Sequence, residues 1–240
     1  LLFADDLALF AHTAEELQKL LDIVWNYGEK WHFSFGISKC EVVISPNSPK
    51  TDHIFHLGSK PMKIVSFYKY LGILETAQPH NYTEFIKSKW KSVRARIAKC
   101  RRVGGHIDGL NAVENRKLYF SQIRPIIEFG GTTIPYKETV LKELEKMQAE
   151  SLRSLFGFYK HTKLETMITL VGVTRMRSRI AQLKVCFYNK LKTFNNLYLA
   201  SILRNPQAPL HGLRKDIQKI YTEWSPIPHF APLANYESLN

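Results

Sequence analysis

The sequence predicts an α+β chain, with a first part whose short strand patterns outnumber its helices and a second part that is mostly helical. Three observations carry this. Residues 1–75 alternate short apolar runs with turn residues. From about Tyr82 apolar positions recur at helical spacing instead. Between them, "TAQPHN" has the composition of a linker. The expected organisation is a mixed domain over 1–75, a helical region over 76–200 and a tail over 201–240.

The opening stretch, "LLFADDLALFA", reads as two short strands joined by a turn that carries Asp5 and Asp6. Thr13 followed by Glu16 makes a capping box, and Leu17, Leu20, Leu21, Val24, Trp25 and Gly28 give the helix that follows an apolar face to pack on a sheet. "FSFGIS" and "EVVIS" read as strands, as do "HIFHLG" and "KIVSFYKYLGIL" beyond a polar loop from Ser45 to Asp52.

The first helix of the second part carries Ile86, Trp90, Val93, Ile97 and Cys100 on one stripe. Lys87, Lys91, Arg94 and Arg101 fall on an adjacent face, and no acid interrupts "KSKWKSVRARIAKCRR". A helix through "AVENRKLYFSQIR" is expected to kink or end at Pro125. From about Glu138 to Phe156, Leu141, Leu144, Gln148, Leu152 and Leu155 line one face. Around Met176 to Phe194 an apolar face adjoins Arg177, Arg179, Lys184, Lys190 and Lys192.

With 240 residues, 45% of them hydrophobic and 12% aromatic, the chain can bury a core. A formal net charge of +13 leaves many cations without acidic partners and points to a polyanion, nucleic acid first. No uninterrupted apolar stretch approaches the roughly 18–20 residues of a membrane span, so no membrane partner is expected. Cys40, Cys100 and Cys186 are far apart and lack CxxC or Cys/His spacing, so neither a disulfide framework nor a zinc site is expected. A reducing intracellular compartment suits them. Beginning inside an apolar strand pattern, without Met or signal peptide, the chain reads as a fragment.

Adjacent carboxylates on a hairpin suit magnesium, a hard cation that completes its shell with phosphate oxygens. In two-metal nucleotidyl transfer, ions roughly 3.5–4 Å apart activate the attacking hydroxyl and stabilise the leaving oxygen. Two neighbouring acids do not complete such a site; another strand has to add a carboxylate. Read alone, the acidic pair is also an ordinary turn, Lys39 a solvated strand-end lysine, "YKYLG" a plain hairpin with aromatic core residues, and the basic helix face a solvated one.

Taken in order, "LLFADDLALFA", a helix ending in "EKW", "FGISKCEVVIS" and "FYKYLGI" resemble the reverse transcriptases of non-LTR retrotransposons, over the second half of the palm and the connected thumb. "KLYFSQIRPIIEFGG", "LEKMQAESLRSLFG" and "LETMITLVGVTRMRSRIAQLKVCFYNKL" resemble the helical region after that palm. The resemblance covers about the first 195 residues. It implies that Asp5 is the principal metal ligand and Asp6 its supporting partner, and that Phe3 lies close to the primer terminus. It implies that Lys39 assists pyrophosphate departure as a proton donor or countercharge. Tyr68, Tyr70, Leu71 and Gly72 would grip the primer, with Gly allowing close backbone approach. Lys87, Lys91, Arg94 and Arg101 would neutralise phosphates of the RNA template and DNA primer. Mg2+ and deoxynucleoside triphosphates would be the cofactor and substrates of an intact enzyme.

Fingers and the palm strand that bears a further aspartate would have to precede Leu1, so the chain alone is expected to be inactive. Two other readings stay open on the residues: a non-catalytic nucleic-acid-binding remnant of a retroelement protein, and a basic protein-interaction or membrane-surface module.

Overall fold

A tight turn at Ala4 and Asp5 folds strand β1 (Leu2–Phe3) back onto β2 (Asp6–Leu7), pairing Phe3 with Asp6. In this computed structural model, residues 2–45, 52–76, 82–132, 134, 137–193 and 211–224 are described. The chain is mixed α and β, dominated by helices, with a few short strands. It divides into two compact units, Leu1–Phe85 and Ile86–Asn240.

In the first unit, helix α1 (Ala14–Lys30) starts at the expected cap: the Glu16 amide donates to the Thr13 hydroxyl at 3.2 Å. The Glu16 carboxylate reaches back to accept from the His12 amide at 3.1 Å, closing the start of the helix. Strand β3 (Glu41–Val43) runs parallel to β6 (Lys63–Val65), while β4 (His56–Leu57) and β5 (Lys60–Pro61) form a hairpin, as do β7 (Phe67–Tyr70) and β8 (Ile73–Thr76). Leu21, Val42, Phe55 and Leu57 form the buried core between α1 and these strands, each stabilising by about 1.5–3 kcal/mol. Gln18 ties helix to strand by taking the place of a neighbouring strand: its amide donates to the His56 carbonyl at 3.0 Å and its oxygen accepts the His56 N–H at 2.9 Å. Gly58 turns the β4–β5 hairpin at φ 62°, where a Cβ would lie 2.5 Å from the Trp25 ring.

"FSFGIS" is not a strand. Residues 33–36 run irregularly into a 3₁₀ turn, Ile37–Lys39. The cause is a contact that spacing does not reveal: the Phe33 amide donates to the Gly28 carbonyl at 3.1 Å, and Phe35 packs where a Cβ of Gly28 would stand 2.8 Å from its ring. The Phe33 and Phe35 rings meet edge to face, 5.2 Å apart, so this segment satisfies itself against α1 instead of joining the sheet. "HIFHLG" forms only the two-residue β4.

In the second unit, α2 (Thr83–Arg102) buries Ile86, Val93, Ile97 and Cys100 along the expected stripe. Helix α3 (Ala112–Leu118) does not stop before Pro125: it continues through a π turn (Tyr119–Ile123) into α4 (Arg124–Glu128). The wider turn accommodates a residue that has no N–H to donate. Helix α5 (Glu138–Phe156) ends at Gly157 with φ 66°, followed by α6 (Leu164–Val171), α7 (Met176–Thr193) and α8 (His211–Trp224). Sequence periodicity did not place α6 or α8. Leu144, Gln148, Leu152 and Leu155 are buried on the expected face of α5. Gln148 is fully satisfied there: its amide donates to the Tyr119 hydroxyl and the Thr174 carbonyl at 3.2 and 2.9 Å, and its oxygen accepts the Met176 N–H at 2.9 Å.

The expected basic face of α7 is largely consumed within the fold. Arg177 pairs with Glu138, Arg179 pairs with Glu128 at 2.9 Å, and Lys184 is buried against Asp216 of α8. Lys190 stays exposed, and the Lys192 side chain lies outside the described residues.

Lys89 is 5% exposed. Its ammonium donates to the carbonyls of Ile126, Ile127 and Phe129 at 2.8, 2.9 and 2.7 Å, closing the C-terminal end of α4. Burial pushes its pKa down to about 7, while three carbonyls at a helix C-terminus favour the charged form.

Candidate functional site

Tyr68 links two of the segments named from the sequence in the first unit. Its side chain shares the half-buried face of β7 with Tyr70, whereas Phe67 and Lys69 are exposed on the other face, as strand alternation requires. The Tyr68 hydroxyl lies 3.5 Å from the Lys39 carbonyl oxygen, a long hydrogen bond that joins the "KCE" segment to the "YLG" hairpin. Strand β3, directly after Lys39, also lies against β7. Burial raises the Tyr68 pKa first, and the negative charge of Asp6 raises it next, with Cys40, Glu41 and Tyr70 adding to it. The acidic hairpin, the Lys39 turn and the aromatic hairpin therefore share one electrostatic neighbourhood.

Each hairpin is turned by a residue in an unusual conformation. Ala4, beside the acids, has φ 52°, and Leu71 has φ 47° next to Gly72 at φ 81°. At Leu71–Gly72 both central residues have positive φ, as a type I′ turn needs, whereas at Ala4–Asp5 only the first does, as in a type II′ turn; such positions normally select Gly or Asn. Holding Ala or Leu there costs about 1–2 kcal/mol per residue. Such strain persists only where the surroundings enforce it, and it clusters at functional positions. The third non-glycine case is His32, just after α1.

Asp5 sits in the turn and Asp6 on β2, so only one of the two acids is at the hairpin tip. Both are exposed, as are Phe3, at 62%, and Lys39. Among the described residues neither aspartate forms an ion pair, Lys39 bonds to neither of them through its side chain, and no three His, Cys, Asp or Glu side chains cluster around a common point. Two solvent-facing carboxylates suit magnesium, which takes one or two protein carboxylates and fills its shell with water and phosphate oxygens. Glu41 and Cys40, whose charges act on Tyr68, are not among the site residues expected from the sequence; their adjacency to Lys39 is the available signal.

In the second unit, Lys87, Lys91, Arg94 and Arg101 are exposed on α2. The stretch without acids acquires one in three dimensions: Arg94 pairs with Glu150 of α5 at 3.0 Å, its guanidinium 4.8 Å from the Trp90 ring. Trp90 is partly buried and donates its indole N–H to Glu143 at 3.0 Å, so it is a packing residue of the α2–α5 contact. Lys91 and Arg101 have no ion-pair partner among the described residues. No helix among the described residues is long and apolar enough to cross a membrane.

Comparison with known proteins finds no protein-family model, no curated protein and no solved structure that matches this chain.

Proposed function

We propose that the chain is the C-terminal part of the palm, with the thumb, of a reverse transcriptase of the non-LTR retrotransposon kind. It would work in a polypeptide that also supplies fingers and a further palm aspartate. The observation that carries this reading is the Tyr68 hydroxyl's bond to the Lys39 carbonyl, which joins the Lys39 turn to the strained Leu71–Gly72 hairpin within reach of the Asp6 charge.

In this reading Asp5 and Asp6 would hold Mg2+, which when bound would supply Lewis-acid activation and charge neutralisation for nucleotidyl transfer. Phe3, exposed beside the acids, rests near the primer terminus. Lys39 offers an exposed ammonium to the charge that develops on pyrophosphate. Tyr70, Leu71 and Gly72 present a rigid hairpin to the primer, and Tyr68 anchors that hairpin to the Lys39 backbone. RNA template and DNA primer run along Lys87, Lys91, Arg94 and Arg101, whose charges displace counterions. Deoxynucleoside triphosphates are the second substrate. Primer extension by a polypeptide that includes the upstream half tests this: full activity after Asp5→Ala would remove the metal-ligand assignment.

A second reading is a non-catalytic nucleic-acid binder, favoured by the exposed cations of α2, which need no carboxylate to act. It calls for magnesium-independent binding and no extension in the longer polypeptide.

A further inference from the structure

Helices α2 and α5 border an open groove of about 650 Å³, of whose lining the catalytic reading uses only Arg94. Trp90 and Leu164 give it an apolar floor, and Arg94, Lys142, Lys146 and Arg153 stand around it. Its acids are already engaged: Glu145 is gripped by Arg175 at 2.7 and 3.1 Å, and Glu150 by Arg94. Lys146 pairs with Glu143, leaving its side chain 66% exposed. Arg153 is different, having no carboxylate partner among the described residues. One terminal nitrogen donates to the Thr162 carbonyl at 3.1 Å, while its Nε–H is buried without an acceptor among the described residues.

That bond to Thr162 sets the 157–163 loop at the end of the groove, where Leu164 joins the lining. The loop reads "GFYKHTK": Lys160 and Lys163 are exposed with no ion-pair partner among the described residues. Tyr159 is 73% exposed, its ring 5.4 Å from that of His161. A cationic groove adjoined by a loop that carries an exposed aromatic ring has the two elements of single-strand recognition, a track for phosphates and a face for an unpaired base. A double helix offers phosphates but no free base face.

We propose that this groove and loop form a binding site for single-stranded nucleic acid, with Arg153 and Lys146 on phosphates and Tyr159 stacked on a base. The site rests on the reading that nucleic acid is the ligand and needs neither the metal nor the acidic hairpin. Its stripe was present in the sequence, since Lys142, Lys146 and Arg153 are spaced to share one side of α5.

Fluorescence anisotropy on the full chain tests it, with a labelled oligothymidylate of about 16 nucleotides and a duplex of equal length, across a salt series. The expected result is that Lys146→Gln with Arg153→Gln weakens single-strand binding about tenfold and lowers the salt slope by about 0.7 for every phosphate that is no longer neutralised. Tyr159→Ala should weaken it at least about fivefold, with a smaller effect on duplex. As this ring is exposed, that variant tests the site even if the double variant unfolds. If these variants keep wild-type affinity and slope while Lys87→Glu with Lys91→Glu loses binding, the groove is overturned and the nucleic-acid reading stands. If the wild-type chain binds neither probe, both fall. Equal competition by polyglutamate would make the surface a generic acceptor of acidic chains and overturn the proposal.

Discussion

The first unit gathers Leu21, Val42, Phe55 and Leu57 into a small core under strands of two to four residues. The second buries Tyr119, Ile123, Ile127, Leu144, Met147, Leu152, Leu155 and Met167 completely, among helices of up to 20 residues. The two units also differ in where they hold unfavourable features. The first keeps its strain in exposed turns, at Ala4 and Leu71, beside the residues assigned to chemistry. The second holds its costliest buried side chains, Lys89 and Gln148, in several hydrogen bonds each. A unit that presents strained, exposed hairpins is organised around presentation; one that commits its polar groups to buried bonds is organised around persistence.

This contrast can be broken, beginning with the largest effect. Asp5→Ala, in a polypeptide containing the upstream half, should reduce primer extension by at least about 100-fold and leave the melting temperature unchanged. Loss of stability without loss of extension would reverse the roles given to the units.

Lys89→Met removes three hydrogen bonds at the end of α4 and should destabilise by about 3 kcal/mol, read by denaturant unfolding of the helical signal. That deficit should grow with pH. With the folded-state pKa near 7 and the unfolded one near 10.5, the unfolded chain between these values binds a proton that the folded chain has released. Wild-type stability therefore climbs through this window, the burial cost being present in full below pH 7. A parallel pH dependence in the variant would show that Lys89 is not the titrating group.

Gly58→Ala places a methyl group against the Trp25 ring at positive φ and should cost the first unit about 2 kcal/mol, followed by tryptophan fluorescence during urea unfolding. The smallest effect has the opposite sign: Leu71→Asn creates the Asn-Gly pair favoured by this turn and should stabilise by about 1 kcal/mol, while weakening primer extension if Leu71 touches primer. An unchanged or lower melting temperature would mean that the Leu71 turn holds no strain.

What the sequence made legible was local. Thr13 and Glu16 announce the start of α1 because a cap is a four-residue event. The faces of α2 and α5 follow from periodicity alone. Features set by distant partners were hidden: Arg177 and Arg179 read as a free basic face because their acids stand 39 and 51 residues away. Phe35 reads as a strand residue because its reason for leaving the sheet is the missing Cβ of Gly28. The candidate site divides in the same way. Asp5, Asp6, Lys39 and the "YLG" turn were visible as ordered motifs, whereas Tyr68 as the link between the last two depends on a contact across 29 residues.

The π turn between α3 and α4 has a consequence for how this chain tolerates change in length. One added residue within a turn rotates everything beyond it by about 100° about the helix axis. Glu128, which holds both Arg124 and Arg179, and buried Ile127 owe their facing to that offset. Removing a single residue between Tyr119 and Ile123 would leave a smoother helix that turns Ile127 out of the core and Glu128 away from Arg179.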